Sequence, residues 1–149
     1  MIWGAFSAFG KSFIAFINTC LDSRGYQLIL QSHLIPYMRR FPSANLTFMQ
    51  DNASIHASRS TAEWLQANNV PTIAWPAKSP DINPIENVWG IIVRDIYEDC
   101  RQYENVERLK TAIINAWDRI NNDLFRNLVD SMPKRVNLLI KSAGKPINY

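Results

Sequence analysis

Residues 46–89 read LTFMQDNASIHASRSTAEWLQANNVPTIAWPAKSPDINPIENVW, and the rest of the chain is arranged about them. An apolar run, Leu46 to Met49, delivers Asp51 and Asn52 just past its end. A helical stretch and a second short apolar run, Thr72-Ile73-Ala74, come next. A loop bearing Pro76 and Pro80 then leads to Asn83-Pro84-Ile85-Glu86-Asn87, which opens another helix. Asp51 and Glu86 are separated by 34 residues, a spacing that suits a strand–helix–strand–helix path. On such a path a strand end and a later helix start meet at one edge of a sheet. Two carboxylates meeting there suit Mg²⁺, which takes hard oxygen ligands and few of them from protein.

Each carboxylate also has a purely local reading. An Asp-Asn pair at a strand end commonly starts a turn or caps the following helix. Asn83, Pro84 and Glu86 fit the N-cap, N1 and N3 positions, so Glu86 reads equally as the closing residue of a capping box. The helix dipole disfavours a cation at this end, so a metal-binding Glu86 must reach away from the helix axis.

The strings QDNASIH and WPAKSPDINPIENVW resemble the catalytic domain of Tc/mariner superfamily transposases, in the Tc-one-like branch. MIWGAFS near the start, HLIPYM in the first helix and NLVDSMPKR towards the end extend the resemblance over nearly the whole chain. It implies a ribonuclease-H-like fold and a DNA transposase or endonuclease that cuts, pastes and integrates DNA by two-metal phosphoryl transfer. Asp51 and Glu86 match the second and third members of that family's metal-binding triad, and so imply Mg²⁺ or Mn²⁺, two ions in the complete site. His56 matches the histidine of the family's DN-x-x-x-H string, as an auxiliary near the metals; a capping or solvent-facing histidine is the plain alternative. Asn52 either steadies Asp51, binds phosphate, or simply makes a turn. The implied partners are transposon ends and target DNA, with a homodimer as the assembly, no membrane, and the nucleus as the compartment in a eukaryotic host.

One departure from the family pattern bears on activity. The family's first catalytic aspartate lies on the first sheet strand, before the segment resembling MIWGAFS. Asp22, the one acidic residue here preceding Asp51, falls at a helix cap and does not match it. The resemblance thus covers a domain lacking that strand, and the expectation divides in two: a catalytic domain completed by further sequence, or an inactive transposase-derived fragment that binds DNA or protein. Upstream genomic sequence separates the two.

The remaining sequence supports one mixed α/β domain spanning residues 1–149. Its 149 residues, 47% hydrophobic, suffice for a core. A net charge of +3 and a pI near 9.0 are compatible with nucleic acid without singling it out. No apolar run approaches the roughly 18 residues of a membrane span. Cys20 and Cys100 lack zinc or disulfide spacing and read as buried free thiols.

Met1 to Phe9 and Ser12 to Ile17 suggest a β-hairpin turning at Gly10-Lys11. Asp22-Ser23 caps a helix that stops before Pro42. A helix from about Ala57 to Asn68 buries Thr61, Trp64 and Leu65, ending at Asn68-Asn69. Helices follow over 84–97, 106–120, 121–132 and 133–142, with Gly144 as a stop. The order implies a mixed sheet covered by helices. Lys78 and Ser79 in the proline loop, and Lys134, Arg135, Lys141 and Lys145 near the end, are weak candidates for DNA phosphate contacts. Trp75 and Trp89 read as core.

Overall fold

The computed structural model describes residues 1–17, 20–76 and 79–147. Its contacts divide the chain into two compact units, one of Met1–Ala5 and Ala15–Lys78, the other of Phe6–Ile14 and Ser79–Tyr149. Both are built mainly from helices, with short strand pairs.

In the first unit, β1 (Ile2–Trp3) pairs antiparallel with β4 (Ala15–Phe16). Asp22 caps α1 (Ser23–Ile29), its carboxylate accepting from the Gly25 N–H at 2.7 Å. One π-helical turn, Leu30–Leu34, then carries the chain into α2 (Ile35–Arg39). The cause lies at Pro36, which has no N–H to give and whose ring crowds the carbonyl four residues back. The widened turn absorbs this by letting the Ile35 N–H reach the Leu30 carbonyl. The helical path ends before Pro42, as expected.

α3 (Arg59–Ala67) is capped by Ser58, whose hydroxyl accepts from the Thr61 N–H. It ends as the two asparagines suggested. Asn69 takes a positive φ of 53°, its N–H reaches the Gln66 carbonyl, and the Val70 N–H reaches Leu65. This is a complete Schellman ending, with its apolar contact made between Val70 and Leu65 in the core. That core gathers Tyr26, Leu30, Leu34, Ile35, Leu65 and Val70, with Trp3, Phe48, Ile55 and Trp64 partly buried around it.

The two strands expected at Leu46 to Met49 and Thr72 to Ala74 contract to one parallel bridge between Phe48 and Thr72. Phe48 donates to the Pro71 carbonyl at 2.7 Å and accepts from the Ile73 N–H at 3.2 Å. Extended backbone counts as sheet only where a neighbour pairs with it along its length, and here the ladder is two bonds long.

In the second unit, β2 (Phe6–Ser7) pairs with β3 (Gly10–Lys11), with Ser7 opposite Gly10. The hairpin therefore turns at Ala8-Phe9, not at Gly10-Lys11. Gly10 spends its conformational freedom on the residue leaving the turn, at φ 131°. Lys11 donates to the carbonyls of Trp117, Asp118 and Ile120 at 2.5, 2.9 and 3.1 Å. It thereby serves the orphan acceptors at the end of α5 (Val106–Arg119). Partial burial lowers its pKa, partly offset by the Asp118 charge.

The Trp117 indole returns a bond to the Ser12 carbonyl at 2.9 Å. α4 (Pro84–Ile96) buries Val88, Ile92 and Ile96, and its Trp89 ring stacks on Trp117 at 5.6 Å. α6 (Asn122–Asp130) sets Phe125 against both Phe6 and Trp117. α7 (Met132–Lys141) follows, ending ahead of Gly144 at φ 79°. Both cysteines are exposed, against the expectation of burial: Cys20 lies ahead of α1, and Cys100 closes a short 3₁₀ turn at positive φ. Among the described residues, no helix is long and apolar enough to cross a membrane.

Phe125 is fully enclosed and Phe13 is 81% exposed, so truncating them should separate sharply. Phe125→Ala is expected to cost about 3–5 kcal/mol in urea unfolding, and Phe13→Ala to stay within about 0.5 kcal/mol of the unaltered chain.

Candidate active site

Asp51 stands three residues beyond the Phe48 bridge. Its Oδ1 accepts from the Ala53 N–H at 3.1 Å and lies 2.5 Å from Nδ1 of His56. A carboxylate oxygen accepts, so Nδ1 is the donor and His56 holds that oxygen in place. Oδ2 carries no hydrogen bond among the described residues, and the Asp51 side chain is 59% exposed.

The segment bearing His56 is itself fixed. Its N–H and that of Ala57 both reach the Ala53 carbonyl, and the buried Thr61 hydroxyl donates to Ile55 at 2.7 Å. The His56 ring lies on the ring of buried Tyr26, with centroids 4.2 Å apart. The Tyr26 hydroxyl donates to Gln50 Oε1 at 2.7 Å, and Gln50 Nε2 donates to the His56 carbonyl at 3.2 Å. Burial pushes the Tyr26 phenol well above its ordinary range, with the Asp51 charge adding to the rise and a hydrogen bond with Trp3 opposing it. Tyr26 therefore stays a neutral donor and a rigid platform.

Asn52 makes no bond to Asp51. Its Nδ2 donates to the Trp75 carbonyl at 2.7 Å, bracing the start of the proline loop. Gln50, Asp51, Asn52, His56, Thr72 and Trp75 border an open cleft of about 460 Å³.

Glu86 belongs to the other unit, in the first turn of α4. Asn83 caps this helix, its Oδ1 accepting from the Ile85 N–H at 3.3 Å. The Asn83 N–H is already given to the Pro80 carbonyl at 3.0 Å. The donor that a capping box needs is thus taken, and Glu86 does not close one. Its side chain is exposed and its carboxylate has no hydrogen-bond partner among the described residues.

A profile of the family described as DDE superfamily endonuclease matches residues 1–110. The chain belongs to that family.

This DDE endonuclease chain is 41% identical over its full length to the Tc3 transposase of Caenorhabditis elegans, covering 45% of that protein. It is 30% identical to the Tcb2 transposase of Caenorhabditis briggsae and 29% identical to the Tc1 transposase of Caenorhabditis elegans, covering 54% of each. The chain spans about half the length of these curated relatives. The Tc/mariner resemblance read from the motifs therefore holds.

The crystal structure of the catalytic domain of Mos1 mariner transposase superposes with a TM-score of 0.87 at 17% identity, over 99% of this chain and 75% of that one. The same catalytic domain with Raltegravir and Mg matches at 0.81, over 99% of this chain and 83% of that one. A Mos1 paired end complex with Mn matches at 0.87, over 99% of this chain and 44% of that one. These likenesses support the ribonuclease-H-like mixed α/β fold.

Of the residues singled out in the DDE endonuclease sequence, Asp51, Asn52 and His56 border one cleft, and Glu86 opens α4 in the second unit. Lys78 lies outside the described residues. Ser79 is half-buried and Lys134 exposed. Arg135 is corrected: it is 1% exposed, with its guanidinium bonded inside the protein, and so is not presented to DNA phosphate. Trp89 is a packed aromatic, as read. Tyr26 and Gln50 were not among the residues singled out from the sequence. The signal available was a tyrosine in an apolar helix stripe, whose hydroxyl must find a partner when buried.

Tyr26→Phe keeps the ring under His56 and deletes the bond to Gln50. It is expected to lower stability by about 0.5–1.5 kcal/mol, measured by chemical unfolding.

Proposed function

We propose that this domain cleaves and joins DNA strands as the metal-dependent part of a Tc/mariner-type transposase, with Asp51 and Glu86 as metal ligands and His56 as the residue that orients Asp51. The observation that carries the reading is the state of the two carboxylates. Among the described residues, Asp51 is gripped on one oxygen and open on the other, and Glu86 is exposed with no hydrogen-bond partner, the Asn83 N–H that a capping box would use being given to Pro80.

Such groups fit Mg²⁺ or Mn²⁺, which bind through one or two carboxylates and complete their shells with water and phosphate. Among the described residues, no three His, Cys, Asp or Glu side chains cluster to hold an ion. When bound, the ions activate an attacking oxygen and stabilise a leaving one.

The chain's own part is positional. His56, backed by Tyr26, fixes the Asp51 carboxylate, and the roll of the first turn of α4 aims Glu86. Known relatives are named as transposases, and Mos1 neighbours include paired-end and strand transfer complexes. Transposon ends and target DNA are accordingly the proposed substrates, two copies of the chain the proposed assembly, and the nucleus of a eukaryotic cell the proposed place of action. Ser79 and Lys134 are the remaining described candidates for phosphate contact.

Nicking of supercoiled plasmid carrying transposon ends tests this. In a transposase that also supplies the family's first aspartate, cleavage should require Mg²⁺ or Mn²⁺ and fall to background in Asp51→Asn and in Glu86→Gln. Metal-free unfolding of Glu86→Gln should stay within about 1 kcal/mol of the unaltered chain, the size of a charge–dipole contribution at a helix start. Cleavage without metal, or undiminished cleavage by either variant, would contradict the assignment. DNA binding without any cleavage would favour the inactive, binding-only alternative.

A further inference from the structure

Arg135 is a buried cation for which the proposed chemistry has no direct use. It lies on α7 at 1% exposure. Its Nε donates to the Ser131 hydroxyl at 2.9 Å, a bond within its own corner of the chain. Its other two described bonds cross to a different segment: Nη1 to the Asp81 carbonyl at 3.4 Å and Nη2 to Asn87 Oδ1 at 2.8 Å. Asp81 lies in the 3₁₀ turn Pro80–Ile82, and Asn87 in the first two turns of α4. Glu86 stands between them. The Asp81 carboxylate is held too, accepting from the Ile147 N–H at 2.8 Å.

We propose that Arg135 is a positioning residue for Glu86, setting the direction in which that carboxylate leaves α4. The inference rests on the reading of Glu86 as a metal ligand. A guanidinium is planar, and its donors keep a fixed mutual geometry. One rigid group therefore ties the turn before Glu86 to the residue directly after it.

Neighbouring helix residues are about 100° apart around the axis, so fixing Asn87 also fixes the roll that aims Glu86. Pro84 already restricts the backbone between the two anchors, as Pro80 does just ahead of them, and Arg135 restricts it further. This matters because ligand groups function only when held within about 0.5 Å of their working geometry. Glu86 needs outside help more than Asp51 does, since no described side chain hydrogen-bonds its carboxylate. A lysine at 135 would keep the charge and lose the fork, so it could not hold both acceptors in one plane.

The test is Mn²⁺ affinity of the chain, followed by the electron paramagnetic resonance of free Mn²⁺, together with metal-free melting. Glu86→Gln should weaken binding at least tenfold. Arg135→Lys and Asn87→Ala should each weaken it by about 10-fold or more, the usual scale for groups that orient metal ligands. The double variant should bind no more weakly than the weaker single one, because both changes remove the same bond.

Should Arg135→Lys fail to fold, Asn87→Ala removes that bond from the α4 side. Folded Arg135→Lys or Asn87→Ala protein that melts lower yet binds Mn²⁺ with unaltered affinity would overturn the inference and leave a structural role alone. Unaltered affinity in Glu86→Gln, or no Mn²⁺ binding by the parent chain, would instead remove the reading of Glu86 and this inference with it.

Discussion

The main-chain pairing of Phe48 with Pro71 and Ile73 is the contact on which the Asp51 cleft depends. It is only two hydrogen bonds long, and each such bond contributes about 0.5–1.5 kcal/mol net. Its importance is geometric. Asp51 lies in irregular backbone with no helix or ladder of its own, so its position is inherited from Phe48. The Asn52 bond to the Trp75 carbonyl extends the same zip, tying the residue after Asp51 to the start of the proline loop. The partner strand arrives in register because α3 ends in a tight left-handed turn at Asn69, which returns Val70 to the core beside Leu65.

The two carboxylates are prepared in different ways. Asp51 is restrained directly, through a histidine that lies on a buried tyrosine ring. Glu86 is restrained through its backbone, by Asn83 at the cap and by Arg135 reaching its flanks. A carboxylate whose oxygens are all occupied internally would have to break bonds to take a metal. In both places the hydrogen bonds go to the surroundings, and at least one carboxylate oxygen stays open among the described residues.

Much of this was legible locally. Asp22, Ser58 and Asn83 announce helix starts, because short polar side chains serve orphan N–H groups. Asn68-Asn69 announces an end. The Asp51-to-Glu86 string carries the family outright. What stayed hidden depends on long-range partners. Gln50 and Tyr26 meet across 24 residues, and Lys11 meets the end of α5 across more than 100.

Arg135 looked like part of a basic surface because arginines are rarely buried, and only folding brings Asn87 and Asp81 to it. The π turn needed Pro36 to be weighed inside a helix that otherwise reads as continuous. The capping-box reading of Glu86 failed because the Pro80 carbonyl competes for the Asn83 N–H, a choice set by the loop's shape.

The claim that Asp51 and Glu86 take the metal is tested most directly by backbone NMR of the chain during a Mn²⁺ titration, since paramagnetic broadening marks the amides nearest the bound ion. The account predicts that Asn52, Ala53, Ile85 and Asn87 broaden first. Preferential broadening around the acidic stretch of Glu98, Asp99, Glu104 and Glu107, with the amides beside Asp51 and Glu86 unaffected, would contradict it.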